Sequence, residues 1–267
     1  MPEFLYKYLP INGNSITNLI NRRLWFSKTA RFNDPFDSNI NPKIEPSDYN
    51  DFEREALNVL YRGDSRVKSH IDEKYGGDIS QALNNSQARQ ALREMAITMA
   101  EDIYTDTLNK FRAKSGICCF GGEKDNILMW SHYSDGHKGM CLEFDKSIRP
   151  FSMALRVNYS NDYPDFDIRE LYSDEYIRRL FDRIILAKSI YWSYEKEWRI
   201  IETDRGDFNK RYRMNALKGV YLGLKVSEEV KEAIIEILSK HYNNSARLYI
   251  MKKIKNKFEL IPEEIEY

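Results

Sequence analysis

The sequence predicts an α+β fold, a mixed and mostly antiparallel sheet with a helical insertion. Short apolar or alternating runs rich in aromatic and β-branched residues recur towards both ends of the chain. Between them, residues 48–113 carry mixed charge with apolar positions at helical spacing. Strands and helices are interspersed without regular β-α alternation, and no glycine-rich turn of a doubly wound nucleotide fold is present. The expected division is an α+β domain of catalytic type over 1–47 and 114–267, interrupted by a helical insertion over 48–113.

Phe4–Leu9 reads as a first strand stopped by Pro10, and Ser15–Arg23 as a short helix with Ile16, Leu19 and Ile20 on one face. Leu24–Ser27 is a short apolar strand. Asn33-Asp34-Pro35-Phe36-Asp37 is a loop, because Asp34 precedes proline and Asn and Asp favour turns. Tyr49–Tyr61, Val67–Tyr75 and Ser86–Arg112 form the helical block. Strands follow at Gly116–Phe120, Gly139–Phe144 and Ala154–Tyr159, with a short helix over Asp125–Ser134 that Gly136 can end. Ile168–Lys188 reads as an amphipathic helix and Trp192–Glu202 as a strand. Gly219–Leu224 is a strand and Ser227–Tyr242 a helix capped by Ser227. Arg247–Lys252 with Lys257–Ile261 makes a closing hairpin.

A chain of 267 residues can bury a sizeable core without disulfides or a structural metal. Its 41 basic and 41 acidic side chains cancel, which argues against a nucleic-acid coat or a polybasic membrane binder. No stretch approaches the length of a membrane span, and no signal peptide is evident. Cys118, Cys119 and Cys141 cannot form a disulfide framework, so a reducing, cytoplasmic setting is expected. P-loop, zincin and hydrolase-elbow motifs are absent. His132, Asp135 and His137 meet no standard ligand spacing, and no metal site is expected. The 18 Tyr, 13 Phe and 4 Trp can fill a core or offer stacking faces to a planar ligand.

Two constellations stand out. In Trp192–Ile201, strand alternation puts Glu195, Glu197 and Arg199 on one face, with Tyr194, Lys196, Trp198 and Ile200 on the other. Paired carboxylates about 7 Å apart suit a reaction in which positive charge develops. A solvated face with an ion pair is the alternative. In Met129–Gly139, Trp130 and Tyr133 share a helical face and His137 follows a break. These groups could grip a flat heterocycle, or the rings could be core. Tyr6, Lys7 and Tyr8 on the first strand, and Asn33 and Asp34 in the loop, are further candidates, with packing and turn formation as their alternatives.

These stretches together resemble a bacterial domain family of unknown function found with anti-phage or toxin-like genes. The likeness rests on Leu5–Tyr8, Leu24–Ser27 with Asn33–Asp37, Met129–Tyr133 with His137–Gly139, Tyr194–Arg199 and Val220–Gly223. The order of motifs also resembles that of ADP-ribosyltransferases, whose arginine-modifying members carry Glu-x-Glu on a late strand, as Glu195-Lys196-Glu197 does. That resemblance implies an ADP-ribosyltransferase-like fold and an NAD-consuming transferase or glycohydrolase. NAD would be the substrate and a nucleic acid or protein the acceptor, with an antitoxin or defence-system partner. Glu197 would stabilise the oxocarbenium ion and Glu195 orient the acceptor. Trp130 and Tyr133 would stack on nicotinamide, and Tyr6, Lys7 or Tyr8 would meet the ribose or pyrophosphate. Ser27 is a partial echo of the family's serine motif, and His137 and Arg199 complete the candidate cofactor wall. The first strand lacks the Arg or His usual in those enzymes. Two other classes are open: a metal-dependent nuclease using Asp34, Asp37, Glu195 and Glu197, and a non-catalytic sensor whose Ser86–Arg112 helix is a docking surface.

Overall fold

The structure is a computed structural model, and it describes residues 2–38, 44–45, 57–58, 61–63, 65–164, 166–167 and 182–267. It is α+β, with a mixed and mostly antiparallel sheet and several helices. The chain divides into two compact units. The first gathers Met1–Asp37, Ala113–Asn161 and Lys188–Tyr267, and the second Ser38–Arg112 with Asp162–Ala187. The second unit thus recruits a later segment as well as the expected helical block.

The first unit is built on a five-stranded sheet. Its order is Phe4–Leu9, Met140–Asp145, Leu217–Leu222, Arg247–Lys253 and Leu260–Ile265. Neighbours are antiparallel except Leu217–Leu222 with Arg247–Lys253, which run parallel. A parallel pair needs a crossover, and the Glu228–Tyr242 helix supplies it, capped by the Ser227 side chain accepting from the Val230 N–H. Ile234, Ile237, Leu238 and Tyr242 seat this helix in the core. The first helix, Gly13–Ile20, is fixed by a reciprocal capping box between Asn12 and Ser15.

A three-stranded antiparallel sheet pairs Trp198–Glu202 with Gly116–Phe120 on one side and Leu155–Arg156 on the other. A backbone bridge joins the sheets: the Tyr6 N–H donates to the Gly121 carbonyl at 3.0 Å, and the Gly121 N–H returns to Tyr6 at 2.7 Å. A second bridge ties Ser27 to Ile117. Between the sheets lies an aromatic core, in which Phe144 stacks on Phe151 at 4.3 Å and meets Phe120 and Tyr212 edge-on. Arg23–Phe26, close to the strand expected at Leu24–Ser27, pairs antiparallel with Phe208–Arg211, a strand that the sequence pattern does not announce.

In the second unit, helices run over Ser65–Tyr75, Ile79–Asn84 and Ser86–Lys114. Leu57, Val67, Ile71 and Ala82 form a small core of their own. Most of the expected Tyr49–Tyr61 and Ile168–Lys188 helices lies outside the described residues. The end of the latter is described, with 182–185 helical and Ala187–Ser189 a short strand.

The Trp192–Glu202 region departs from the expected strand. Ile190–Glu195 is a 3-10 helix, Lys196 takes the left-handed conformation at φ 46°, and the strand begins only at Trp198. The Lys196 N–H closes the turn on the Ser193 carbonyl at 3.2 Å. Strand alternation therefore does not relate Glu195 to Glu197. The turn swings Glu195 inward instead, and both carboxylates are buried.

Candidate functional site: a buried charge network on a cavity wall

Glu195, Glu197 and Arg199 of the first unit meet around Lys188, joined by Asp37 from the Asn33–Asp37 loop. Arg199, fully buried, donates to Glu197 from Nε to Oε1 at 2.7 Å and from Nη2 to Oε2 at 3.0 Å. It also reaches Asp37, from Nη1 to Oδ1 at 2.8 Å and from Nη2 to Oδ2 at 2.6 Å. The Lys188 ammonium donates to Glu195 Oε2 at 2.5 Å and to Glu197 Oε2 at 2.9 Å, with Asp37 Oδ2 at 3.8 Å. The Tyr133 hydroxyl donates to Glu195 Oε1 at 2.6 Å. The Glu197 backbone N–H donates to the Tyr159 hydroxyl at 2.8 Å, which fixes the start of the strand. Three carboxylates thus share Lys188 and Arg199.

The two glutamates respond in opposite directions. Burial raises the Glu195 carboxyl above its ordinary range, and the nearby Glu197 charge adds to this against the pull of Lys188 and the Tyr133 hydrogen bond. Burial also pushes Glu197 up, but the charges and hydrogen bonds of Arg199 and Lys188 outweigh it, and Glu197 is held well below the carboxylate range. Lys188 loses to burial and gains more from Glu197 and Glu195, so its ammonium is favoured. Burial and the Glu195 charge push the Tyr133 phenol up, which keeps it a hydrogen-bond donor. When neighbouring titratable groups are driven apart in this way, one is suited to proton transfer and the other to a fixed charge.

The network forms one wall of a cavity of about 440 Å³. Eight of the expected site residues line it: Tyr6, Lys7, Tyr8, Ser27, Asn33, Tyr133, Glu195 and Glu197. Four do not. Asp34 is a turn former, its Oδ1 accepting from the Phe36 N–H at 2.9 Å. Arg199 lies behind Glu197. Trp130, expected to stack on a ligand, is fully buried and donates from its indole N–H to the Lys124 carbonyl at 2.7 Å. Its neighbours in the core are Tyr8, edge-on at 5.3 Å, and the His137 ring, parallel at 6.3 Å. His137 belongs to the same elbow, at φ 71°. Its carbonyl accepts from Lys225, and it lies so close to Gly223 that a Cβ there would come within 2.2 Å of the oxygen. Burial, with the charges of Lys225 and Lys253, lowers the His137 pKa.

The helix bearing Tyr133 explains this division. Ile127–Tyr133 is capped by the Asn126 side chain, which accepts from the Leu128 and Met129 N–H groups, while its amide donates to the Tyr194 carbonyl at 2.7 Å. That bond ties the helix to the turn carrying Glu195, so Tyr133 meets Glu195 while Trp130 points into the core.

Sequence reasoning missed Lys188. Its one signal is a lone cation within the otherwise uncharged run Ile184–Tyr194. Phe32 and His132 also line the cavity without having been singled out as ligand contacts. Cys119 lines it too, but burial and the nearby Glu197 raise its thiol pKa well above the ordinary value, against a thiolate nucleophile. Among the described residues, no group of three or more His, Cys, Asp or Glu side chains is arranged to hold a metal ion, and Lys188 and Arg199 stand between the three carboxylates.

The fold and network define an α+β protein with a buried network of carboxylates and cations on a cavity wall. Residues 129–200 match the model of a family described as a protein of unknown function, DUF2971. The matched stretch contains Tyr133, Lys188, Glu195, Glu197 and Arg199. No curated protein matches the chain, and no solved structure matches it. No helix among the described residues is long and apolar enough to cross a membrane.

Proposed function

We propose that the protein is an NAD-consuming enzyme of ADP-ribosyltransferase or glycohydrolase type, and that Glu195 is its reactive carboxylate. One observation carries this: two neighbouring carboxylates on the cavity wall are driven in opposite directions, Glu195 up and Glu197 down. A carboxylate held ionised in a partly desolvated wall favours a ligand centre that is, or becomes, positive. The nicotinamide ring of NAD is cationic, and breaking its bond to ribose shifts the positive charge onto the sugar as an oxocarbenium ion. The bonding electrons leave with neutral nicotinamide. An acceptor hydroxyl or water then attacks the sugar, and Glu195, with its raised pKa, takes the proton.

Glu197 supplies a fixed negative charge and positions Lys188. Tyr133 orients Glu195, and Phe32 offers an aromatic face in the same cavity. The roles differ from those implied by the family resemblance, where the second glutamate is the reactive one. The free cysteines fit a reducing cytoplasm.

The test is release of nicotinamide from NAD, measured by chromatography, with wild type, Glu195→Gln and Tyr133→Phe. Wild type is expected to release it, with a loss of about a hundredfold or more in Glu195→Gln and a smaller loss in Tyr133→Phe. Release unchanged by Glu195→Gln would remove that residue from the chemistry, and no release by wild type would remove the reaction.

A further inference from the structure

A second, smaller cavity of about 190 Å³ lies in the same unit. It shares Lys7, Ser27, Phe32 and Cys119 with the larger one, so the two lie on either side of a common wall. Their chemistry differs. The larger is lined by cations and carboxylates together, whereas the smaller is lined by two cations, Lys7 and Arg23, and by no carboxylate. The rest of its lining is mostly apolar, with Leu9, Leu19, Leu24 and Leu142 beside Trp25 and the Asn18 amide.

Lys7 is the hinge between them. Its ammonium donates to the Cys119 carbonyl at 2.8 Å and lies 5.5 Å from the Phe120 ring centroid. No carboxylate pairs with it among the described residues. The Cys118 thiol is a second hydrogen-bond partner, which leaves one of the three ammonium protons for a ligand. A half-buried cation without a counter-ion, in a wall shared by two cavities, is suited to an anionic group of a ligand that enters both.

We propose that the smaller cavity is a second subsite, that Lys7 and Arg23 hold the diphosphate of a dinucleotide, and that its distal base lies among the leucines against Trp25. This deepens the NAD reading and rests on it for the identity of the group beside Glu195. The volumes agree with a two-part ligand: 190 Å³ is below the roughly 300–1,000 Å³ of ordinary small-molecule sites, and the larger cavity alone falls within that range. Apolar walls suit a planar base, and the Asn18 amide can read its edge.

The test uses binding without chemistry. ADP-ribose and ribose 5-phosphate are titrated calorimetrically into wild type, Lys7→Gln and Asn18→Trp, with each variant's melting temperature recorded. Asn18 is on the first helix and outside the core, so a tryptophan there fills the smaller cavity with the core intact. ADP-ribose is expected to bind more tightly than ribose 5-phosphate. Asn18→Trp should weaken ADP-ribose by about tenfold or more and leave ribose 5-phosphate unchanged, while Lys7→Gln should weaken both. Trp25→Ala, at a partly exposed position, gives an independent reading and should also weaken ADP-ribose alone. Equal affinity for the two ligands, no binding of either, or ADP-ribose affinity untouched by Asn18→Trp and Trp25→Ala would overturn the subsite. Nicotinamide release by wild type in the same preparation decides the NAD reading separately.

Discussion

The two carboxylates that share Lys188 occupy unlike surroundings. Glu197 stands at the start of a central strand, gripped by one edge of the Arg199 fork, whose other edge is clamped onto Asp37. Glu195 ends a 3-10 turn and is held by one ammonium and one phenol. The first region is fully compensated and its carboxyl is driven down; the second is under-compensated and its carboxyl is driven up. Two residues apart in sequence, the pair thus separates into an anchor and a reactive group. Burial alone does not make a carboxylate structural or chemical; the number and rigidity of its donors decide which.

Breaking the anchor should cost most. Arg199→Met takes the shared guanidinium from Asp37 and Glu197, and a loss of about 3–5 kcal/mol in urea denaturation at pH 7 is expected. Glu197→Gln keeps Arg199 paired with Asp37 and should cost about 2–3 kcal/mol. Tyr133→Phe removes one hydrogen bond from Glu195 and should cost about 1 kcal/mol. Glu195→Gln should have the smallest effect on stability, under about 1 kcal/mol and of either sign, because the charged form it removes is already disfavoured. A cost for Glu195→Gln equal to that of Glu197→Gln would erase the distinction.

The pH dependence sharpens the same contrast. Glu197 has a depressed pKa, so the stability it contributes is present above its unfolded pKa and is lost only as pH falls through its folded value. Glu195 has a raised pKa, so its contribution has the opposite sign: present below the unfolded value, lost as pH rises through the folded one. From neutral pH down to about 4, the range set by the unfolded carboxyl, wild type should gain stability relative to Glu195→Gln. Parallel stability curves for the two proteins would contradict the raised Glu195.

Much of the scaffold was legible because periodicity and caps are local. Phe4–Leu9, Gly116–Phe120 and the Ser227-capped helix announce themselves in a few residues. The proximity of Glu195 and Glu197 was legible too, but for a reason that does not hold: alternation on a strand was expected, and a 3-10 turn with a left-handed Lys196 brings them together. Trp130 and Tyr133 looked equivalent at helical spacing, and only the tie from Asn126 to the Tyr194 carbonyl decides which one reaches the cavity. The Asp37–Arg199 pair joins residues 162 positions apart, and no local pattern records it. Lys188 was hidden for the same reason, since its partners converge only once the sheets have met.

The most direct measurement is a carboxyl-carbon NMR titration of protein labelled with ¹³C at the glutamate side chains, with Glu195 and Glu197 assigned from their glutamine variants. Glu195 is expected to titrate above the ordinary carboxylate range, and Glu197 to stay ionised to the lowest pH at which the protein remains folded. Both groups titrating together within the ordinary range would contradict the division of roles and, with it, the choice of Glu195 as the reactive carboxylate.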